Sequence, residues 1–141
     1  MTTTRPLGAL PLIAAALLGA CGPPQVVKVT EREYELSLDQ GAVSPGEVTF
    51  TVTNAGRETH DAAVFMTELP ADGLPVVTAA DNTTRIDVGS SELTRLTPQV
   101  EAVLPGGTKS ATLKLGPGKY VVVCDAPDHY RSGMHAALSV K

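Results

Sequence analysis

The chain has 141 residues, enough for one domain and too few for two. Its formal net charge is −4, from 11 basic and 15 acidic residues, with no basic cluster and no run of like charges. That balance argues against nucleic acid and against electrostatic membrane binding, and the lack of Trp argues against stacking on nucleobases.

Arg5 is the only charge in the first 27 residues. The apolar stretch Leu7 to Leu18 follows it and ends in Leu18-Gly19-Ala20-Cys21. A short basic start, a short apolar stretch and small residues before a cleavage point read as a secretory signal. The stretch is too short to be a comfortable membrane span. Cys21 directly after Leu-Gly-Ala resembles the lipobox of bacterial lipoproteins, which implies that Cys21 becomes the lipidated N-terminus. The expected organisation is a lipoprotein signal peptide at 1–20, the lipidated Cys and a tether at 21–25, and one domain at 26–141. The expected location is extracytoplasmic, lipid-anchored to a bacterial membrane at the periplasm or cell surface. Removing Arg5 with the signal leaves 10 basic against 15 acidic residues, a net charge of about −5. Only two Cys are present. With Cys21 consumed by lipid, Cys124 is left without a disulfide partner, an unusual state for an exported thiol.

Alternation of period two dominates the rest. Tyr34, Leu36 and Leu38 alternate with polar residues, as do Val48, Phe50 and Val52, then Ala111, Leu113 and Leu115, and finally Ala136, Leu138 and Val140. Each run reads as a half-buried strand. Ser44-Pro45-Gly46, Asn54-Ala55-Gly56, Pro105-Gly106-Gly107 and Gly116-Pro117-Gly118 punctuate them. Short strands with such turns predict an all-β protein, an antiparallel β-sandwich or barrel. Ala62 to Met66 is another strand candidate. Val121-Val122-Val123 does not alternate, which predicts a central strand buried on both faces. The segment Thr67 to Pro98 is the least regular. Ile86 and Val88 read as a short edge strand and Ser91 to Leu96 as a turn of helix. A loop of that length is functional or poorly ordered.

Cys124, His129 and Met134 stand at five-residue intervals just after the apolar run, and His60 follows the Asn-Ala-Gly turn. A thiolate, two imidazoles and a thioether are the donors of a one-electron copper centre: two His and the Cys in a plane, Met as a weak axial ligand. Taken singly, each His reads as a loop residue, Met134 as core and Cys124 as a buried thiol. Together they form a strand, Cys, loop, His, loop, Met, strand pattern that can curl around one ion. Zinc accepts Cys and His, with Asp125 or Asp128 in place of Met134, but thioether is a poor zinc ligand. His135 reads as a surface residue on the opposite face.

Cys124-DAPD-His129-YRSG-Met134, with Asn54-AGRET-His60 upstream and Gly118-Lys119-Tyr120 leading in, resembles the blue (type 1) copper site of cupredoxins. The spacing is of the rusticyanin, auracyanin and sulfocyanin kind. The resemblance runs from about Val26 to Lys141 and is weaker through Thr67–Pro98. It implies a Greek-key β-sandwich or barrel of about seven to eight strands, with one type 1 copper held by His60, Cys124, His129 and Met134. It also implies an electron port at the His129 ring edge and an apolar contact patch at Pro127, Tyr130 and Gly133. Two positions depart from the pattern. Asp128 stands where many relatives have Gly, and Asp61 where several have an Asn that ties the ligand loops together.

The function so implied is single-electron transfer between redox protein partners by a membrane-anchored extracytoplasmic copper protein, an electron carrier and not an enzyme, expected as a monomer. The alternative is copper binding or delivery without electron traffic, which the absence of Met-rich and His-rich runs disfavours. A copper oxidase or nitrite reductase needs further His-rich sites that three His cannot supply.

Overall fold

The structure, a computed structural model, describes Met1 and residues 22–141. The rest of the expected signal segment, and Cys21 with its lipidation, lie outside the described residues. The described residues contain no helix. In chain order the strands are β1 (Gln25–Arg32), β2 (Glu35–Leu38), β3 (Ala42–Val43), β4 (Gly46–Asn54), β5 (His60–Met66), β6 (Val76–Thr78), β7 (Thr84–Ile86), β8 (Thr94–Arg95), β9 (Val100–Val103), β10 (Thr108–Leu115), β11 (Gly118–Val123) and β12 (His135–Val140). Eight of these have four residues or more, in line with the expected seven to eight. The other four are ladders of two or three residues.

One sheet has the order β10-β4-β1-β2, a second β3-β12-β11-β5-β8 with β9 also pairing to β5, and β6 and β7 form a separate two-stranded ladder. The pairing is mixed and not purely antiparallel as the turns implied, because β1 runs parallel to β4 and β3 parallel to β12. Parallel neighbours cannot be joined by a tight hairpin; here β2 and β3 intervene between β1 and β4, and most of the described chain lies between β3 and β12.

The alternating residues face each other across the sandwich. Val27 and Val29 of β1, Val48, Phe50 and Val52 of β4, Leu113 and Leu115 of β10, and Leu138 and Val140 of β12 share one buried core. Tyr34 departs from its expected place: it sits in the turn before β2 and is 47% exposed, while Leu36 points inward. β11 lies between β12 and β5. Val122 faces the main core. Val121 and Val123 face a second core with Ala63, Phe65, Leu74, Ile86, Leu93 and Tyr130. The uninterrupted Val run thus has two buried faces, as its pattern requires.

The second core identifies the irregular 67–98 segment as a cover over the outer face of β5 and β11. Burying side chains such as Phe65 and Leu74 there contributes roughly 1.5–3 kcal/mol each. Two expectations for this segment are corrected. Val88 lies outside β7 and is 51% exposed. Residues 91–96 form a turn running into β8, not helix, so that Leu93 reaches the core and β8 pairs with β5.

Candidate metal centre

His60 opens β5, and an irregularity in the β5–β9 register falls between His60 and Ala62. Such a bulge re-aims side chains at the end of a strand. Beside it, Ala102 takes a positive φ of 51°, and its amide donates to Asp61 Oδ1 at 2.7 Å. The loop before His60 is shaped by the buried Asn54. Asn54 Nδ2 donates to the carbonyls of Glu58 at 2.6 Å and Val103 at 2.8 Å, and Oδ1 accepts from the Gly56 amide at 2.8 Å.

Cys124 follows β11. Its amide donates to the Met134 carbonyl at 3.0 Å, and the Met134 amide donates to the His129 carbonyl at 3.1 Å. These bonds fold residues 124–134 into a closed loop. Asp128 takes a left-handed φ of 64°, a conformation that Asp tolerates better than most residues. Its amide donates to the Thr84 carbonyl at 2.9 Å, while Oδ1 accepts from the Thr84 amide at 2.7 Å and from Thr84 Oγ1 at 2.9 Å. The Asp in place of Gly therefore tethers the ligand loop to β7. Gly133, at φ 114°, passes under the β1–β2 turn, where a Cβ would come within 3.3 Å of the Tyr34 carbonyl.

The result is a compact donor set. His60 Nδ1 and His129 Nδ1 are 3.2 Å apart, and Cys124 Sγ is 3.8 Å from the first and 3.4 Å from the second. All three residues are buried. The centre of that triangle lies about 2 Å from each donor, the length of a metal–nitrogen bond and slightly under a metal–sulfur bond. Met134 is fully buried in the same core as Cys124. The outer nitrogens are also engaged. His60 Nε2 lies 3.1 Å from Glu33 Oε1, and His129 Nε2 lies 3.0 Å from Glu58 Oε2. A carboxylate only accepts, so each Nε2 carries the proton and each Nδ1 turns a lone pair inward. Lone pairs converging on one point call for a cation. The donor chemistry fits one ion of the borderline-soft class.

The surroundings tune these groups. Burial pushes the Cys124 thiol up to about 12, opposed by the Asp61 and Ala126 amides that face the sulfur. The Asp61 amide donates to Sγ at 3.4 Å. Burial lowers the His60 pKa, opposed by its bond to Glu33. The Glu58 amide, then the Arg57 amide, hold the Glu33 carboxyl down at about 2. Asp125 is drawn away by the Ile86 amide and by Arg95, and Asp128 by Thr84, so neither joins the donor set. His135 is half-buried beside Tyr130 and stands apart from it.

One departure is explained and two expectations change. Asp61 does not tie the ligand loops through its side chain, which bonds Ala102 instead; its amide makes the link to the sulfur. Tyr130 is no part of an exposed patch. It is 6% exposed, its hydroxyl donating to the Ala71 carbonyl and accepting from the Leu74 amide. The His129 edge is not bare, since Glu58 bonds it and the Tyr34 ring meets it edge-on at 5.4 Å. Glu33, Asn54 and Glu58 escaped the sequence reading. The sole local signal was the Asn54-to-His60 motif that contains two of them.

No protein-family model and no curated protein matches the chain. Solved structures do. Reduced auracyanin from Roseiflexus castenholzii superposes with a TM-score of 0.55 at 18% identity, covering 85% of this chain and 99% of that one. Auracyanin A, a "blue" copper protein from Chloroflexus aurantiacus, gives 0.55 at 18% over 84% and 100%. Rusticyanin from Thiobacillus ferrooxidans gives 0.51 at 20% over 84% and 79%. The chain has the cupredoxin fold. Within that fold, His60, Cys124 and His129 meet at one pole and could hold a metal ion.

Proposed function

We propose that this protein is a type 1 copper protein that carries single electrons between redox partners. The observation that carries the reading is the buried triangle of two inward-facing Nδ1 atoms and one Sγ. His60, Cys124 and His129, with Met134, would hold the metal. Copper bound there would supply a one-electron Cu(II)/Cu(I) couple. The protein's part is to hold the donors in one arrangement in both redox states. His60 is fixed by the start of β5 and Asn54, and the 124–134 loop by its own backbone bonds. Burial keeps water from the donors, and the amides of Asp61 and Ala126 stabilise the thiolate.

The contact surface for a partner lies around His129, where Tyr34, Pro127 and Gly133 are exposed and Glu58 adds a charge. The exported, lipid-anchored setting rests on Cys21 and the apolar stretch before it. The test is visible absorption and EPR of the copper-loaded fragment that starts after Cys21, beside Cys124→Ala. The reading expects an intense thiolate-to-copper band and narrow hyperfine splitting, both lost in the variant. A colourless Cu(II) complex with ordinary splitting would sink it. Rapid loss of copper to a modest chelator, with no reversible voltammetric wave, would point to metal delivery instead.

A further inference from the structure

Both histidines of the centre are bonded by carboxylates on their outer nitrogens, at 3.1 Å for Glu33–His60 and 3.0 Å for Glu58–His129. We infer that Glu33 and Glu58 are a matched pair of charge-bearing positioning residues that aim the two imidazoles at the metal and hold the centre at a low reduction potential. The inference rests on the copper reading above and extends it.

The positioning half follows from hydrogen-bond chemistry. An ionised carboxylate fixes which nitrogen carries the proton and which way the ring faces. Each acid is itself held. Glu33 Oε1 accepts from the amides of Arg57 at 2.7 Å and Glu58 at 2.8 Å. The loop makes room for it at Gly56, where a Cβ would run into Glu33 Oε1 and stand 2.7 Å from Glu33 Cδ. Glu58 therefore takes part in both clamps: its amide steadies the acid on His60, and its side chain bonds His129. One loop residue couples the orientation of two ligands that lie 69 residues apart.

The electrostatic half follows from where these charges sit. Each lies one imidazole away from the metal position. His60 is fully buried and His129 is 7% exposed, while the Glu33 side chain is 22% exposed and the Glu58 side chain 50%, so water screens Glu58 more than Glu33. Among the described residues, no lysine or arginine side chain forms an ion pair with Glu33 or Glu58. Two uncompensated negative charges favour the oxidised state, which carries one more positive charge than the reduced state.

Glutamine keeps an acceptor of the same shape and removes the charge. Glu33→Gln and Glu58→Gln should each keep the blue spectrum. Glu33→Gln should lower the Cu(II)-to-Cu(I) affinity ratio about tenfold, read as a rise of about 59 mV in potential for a one-electron couple, and Glu58→Gln should lower it less. Potentials unchanged from the native protein in both variants would overturn the inference. A second readout needs no copper. Proton NMR of the metal-free protein should show downfield Nε2 protons for His60 and His129, slow to exchange. Glu33→Ala should abolish the first alone and Glu58→Ala the second alone. Nε2 protons absent from the native protein, or indifferent to both variants, would overturn the clamp. Copper loading without a type 1 spectrum would sink the functional reading, while the proton signals would still decide the clamp.

Discussion

Glu31 continues the inward face that Val27 and Val29 begin, and it carries a carboxyl group into the core. It is fully buried, and neither oxygen has a hydrogen-bond partner. Burial, and then the nearby Asp61 charge, push its pKa from an ordinary 4.5 up to about 8. The folded chain therefore holds a proton that the unfolded chain releases above its ordinary pKa. The stability involved is fully present below pH 4.5 and is lost as pH rises towards 8, with a limiting size on the order of 3–5 kcal/mol at 1.36 kcal/mol per unit. Glu31→Gln should flatten that loss, measured by denaturant unfolding of the metal-free protein at pH 5, 6.5 and 8. An unchanged slope would mean that Glu31 is ionised in the folded state. Asp128 makes a second prediction at this scale. Asp128→Ala removes both side-chain bonds to Thr84 and puts a less tolerant residue at φ 64°. Asp128→Gly removes the same bonds but relieves the backbone. Thermal unfolding should place both below the native protein, Ala by about 2 kcal/mol and Gly by about 1 kcal/mol. Equal losses would show that the backbone strain is negligible.

The cover over β5 and β11 is the element that the sequence concealed most. Its apolar residues Leu69, Leu74, Ile86 and Leu93 are spaced irregularly among Pro, Asp and Gly, and its ladders β6, β7 and β8 are too short to show a period. Tyr130 fastens this cover to the ligand loop through the Ala71 carbonyl and the Leu74 amide. Tyr130→Phe leaves that buried amide without an acceptor, so stability should fall by about 1–3 kcal/mol. The blue spectrum should persist, because the Tyr130 hydroxyl bonds the cover and not a donor atom. A changed spectrum with unchanged stability would contradict this division of labour. Strands β4, β10 and β12 were legible because each has one face in the core and one in solvent, which writes period two into the sequence. The run Val121–Val123 announced two buried faces without saying what covered the second. At the site, Cys124, His129 and Met134 were legible because one loop carries all three, and His60 because a turn sets it at the mouth of a strand. Glu33 was not, because it reaches His60 from 27 residues away and an acid in a turn resembles any solvated loop residue. Asp128 looked like a departure from pattern until Thr84 supplied its partner.

On the scale of the whole molecule, the centre draws the β1–β2 turn, the 54–60 loop and the 124–134 loop to one pole of the sandwich. An ion held there ties His60 to the loop of Cys124, 64 residues away. Metal that binds only the folded chain adds its binding energy to folding, about 4.1 kcal/mol when free metal is 1,000 times its Kd. The sign of the pH dependence follows from the thiol. Burial lifts Cys124 to about 12, so the metal-free protein keeps its thiol proton at neutral pH and binding must release it. Burial lowers His60 from its ordinary 6.5, which favours its neutral form above that pH. Apparent affinity should therefore rise about tenfold per pH unit above neutrality, and the stabilisation by metal by about 1.4 kcal/mol per unit. Anaerobic denaturant unfolding with and without Cu(I), at pH 7 and pH 8, measures this increment directly. Cys124→Ala should remove most of the stabilisation and all of its pH dependence between these values. A stabilisation equal at both pH values in the native protein would mean that the thiol is already ionised in the metal-free fold, and that the amides of Asp61 and Ala126 outweigh burial at the sulfur.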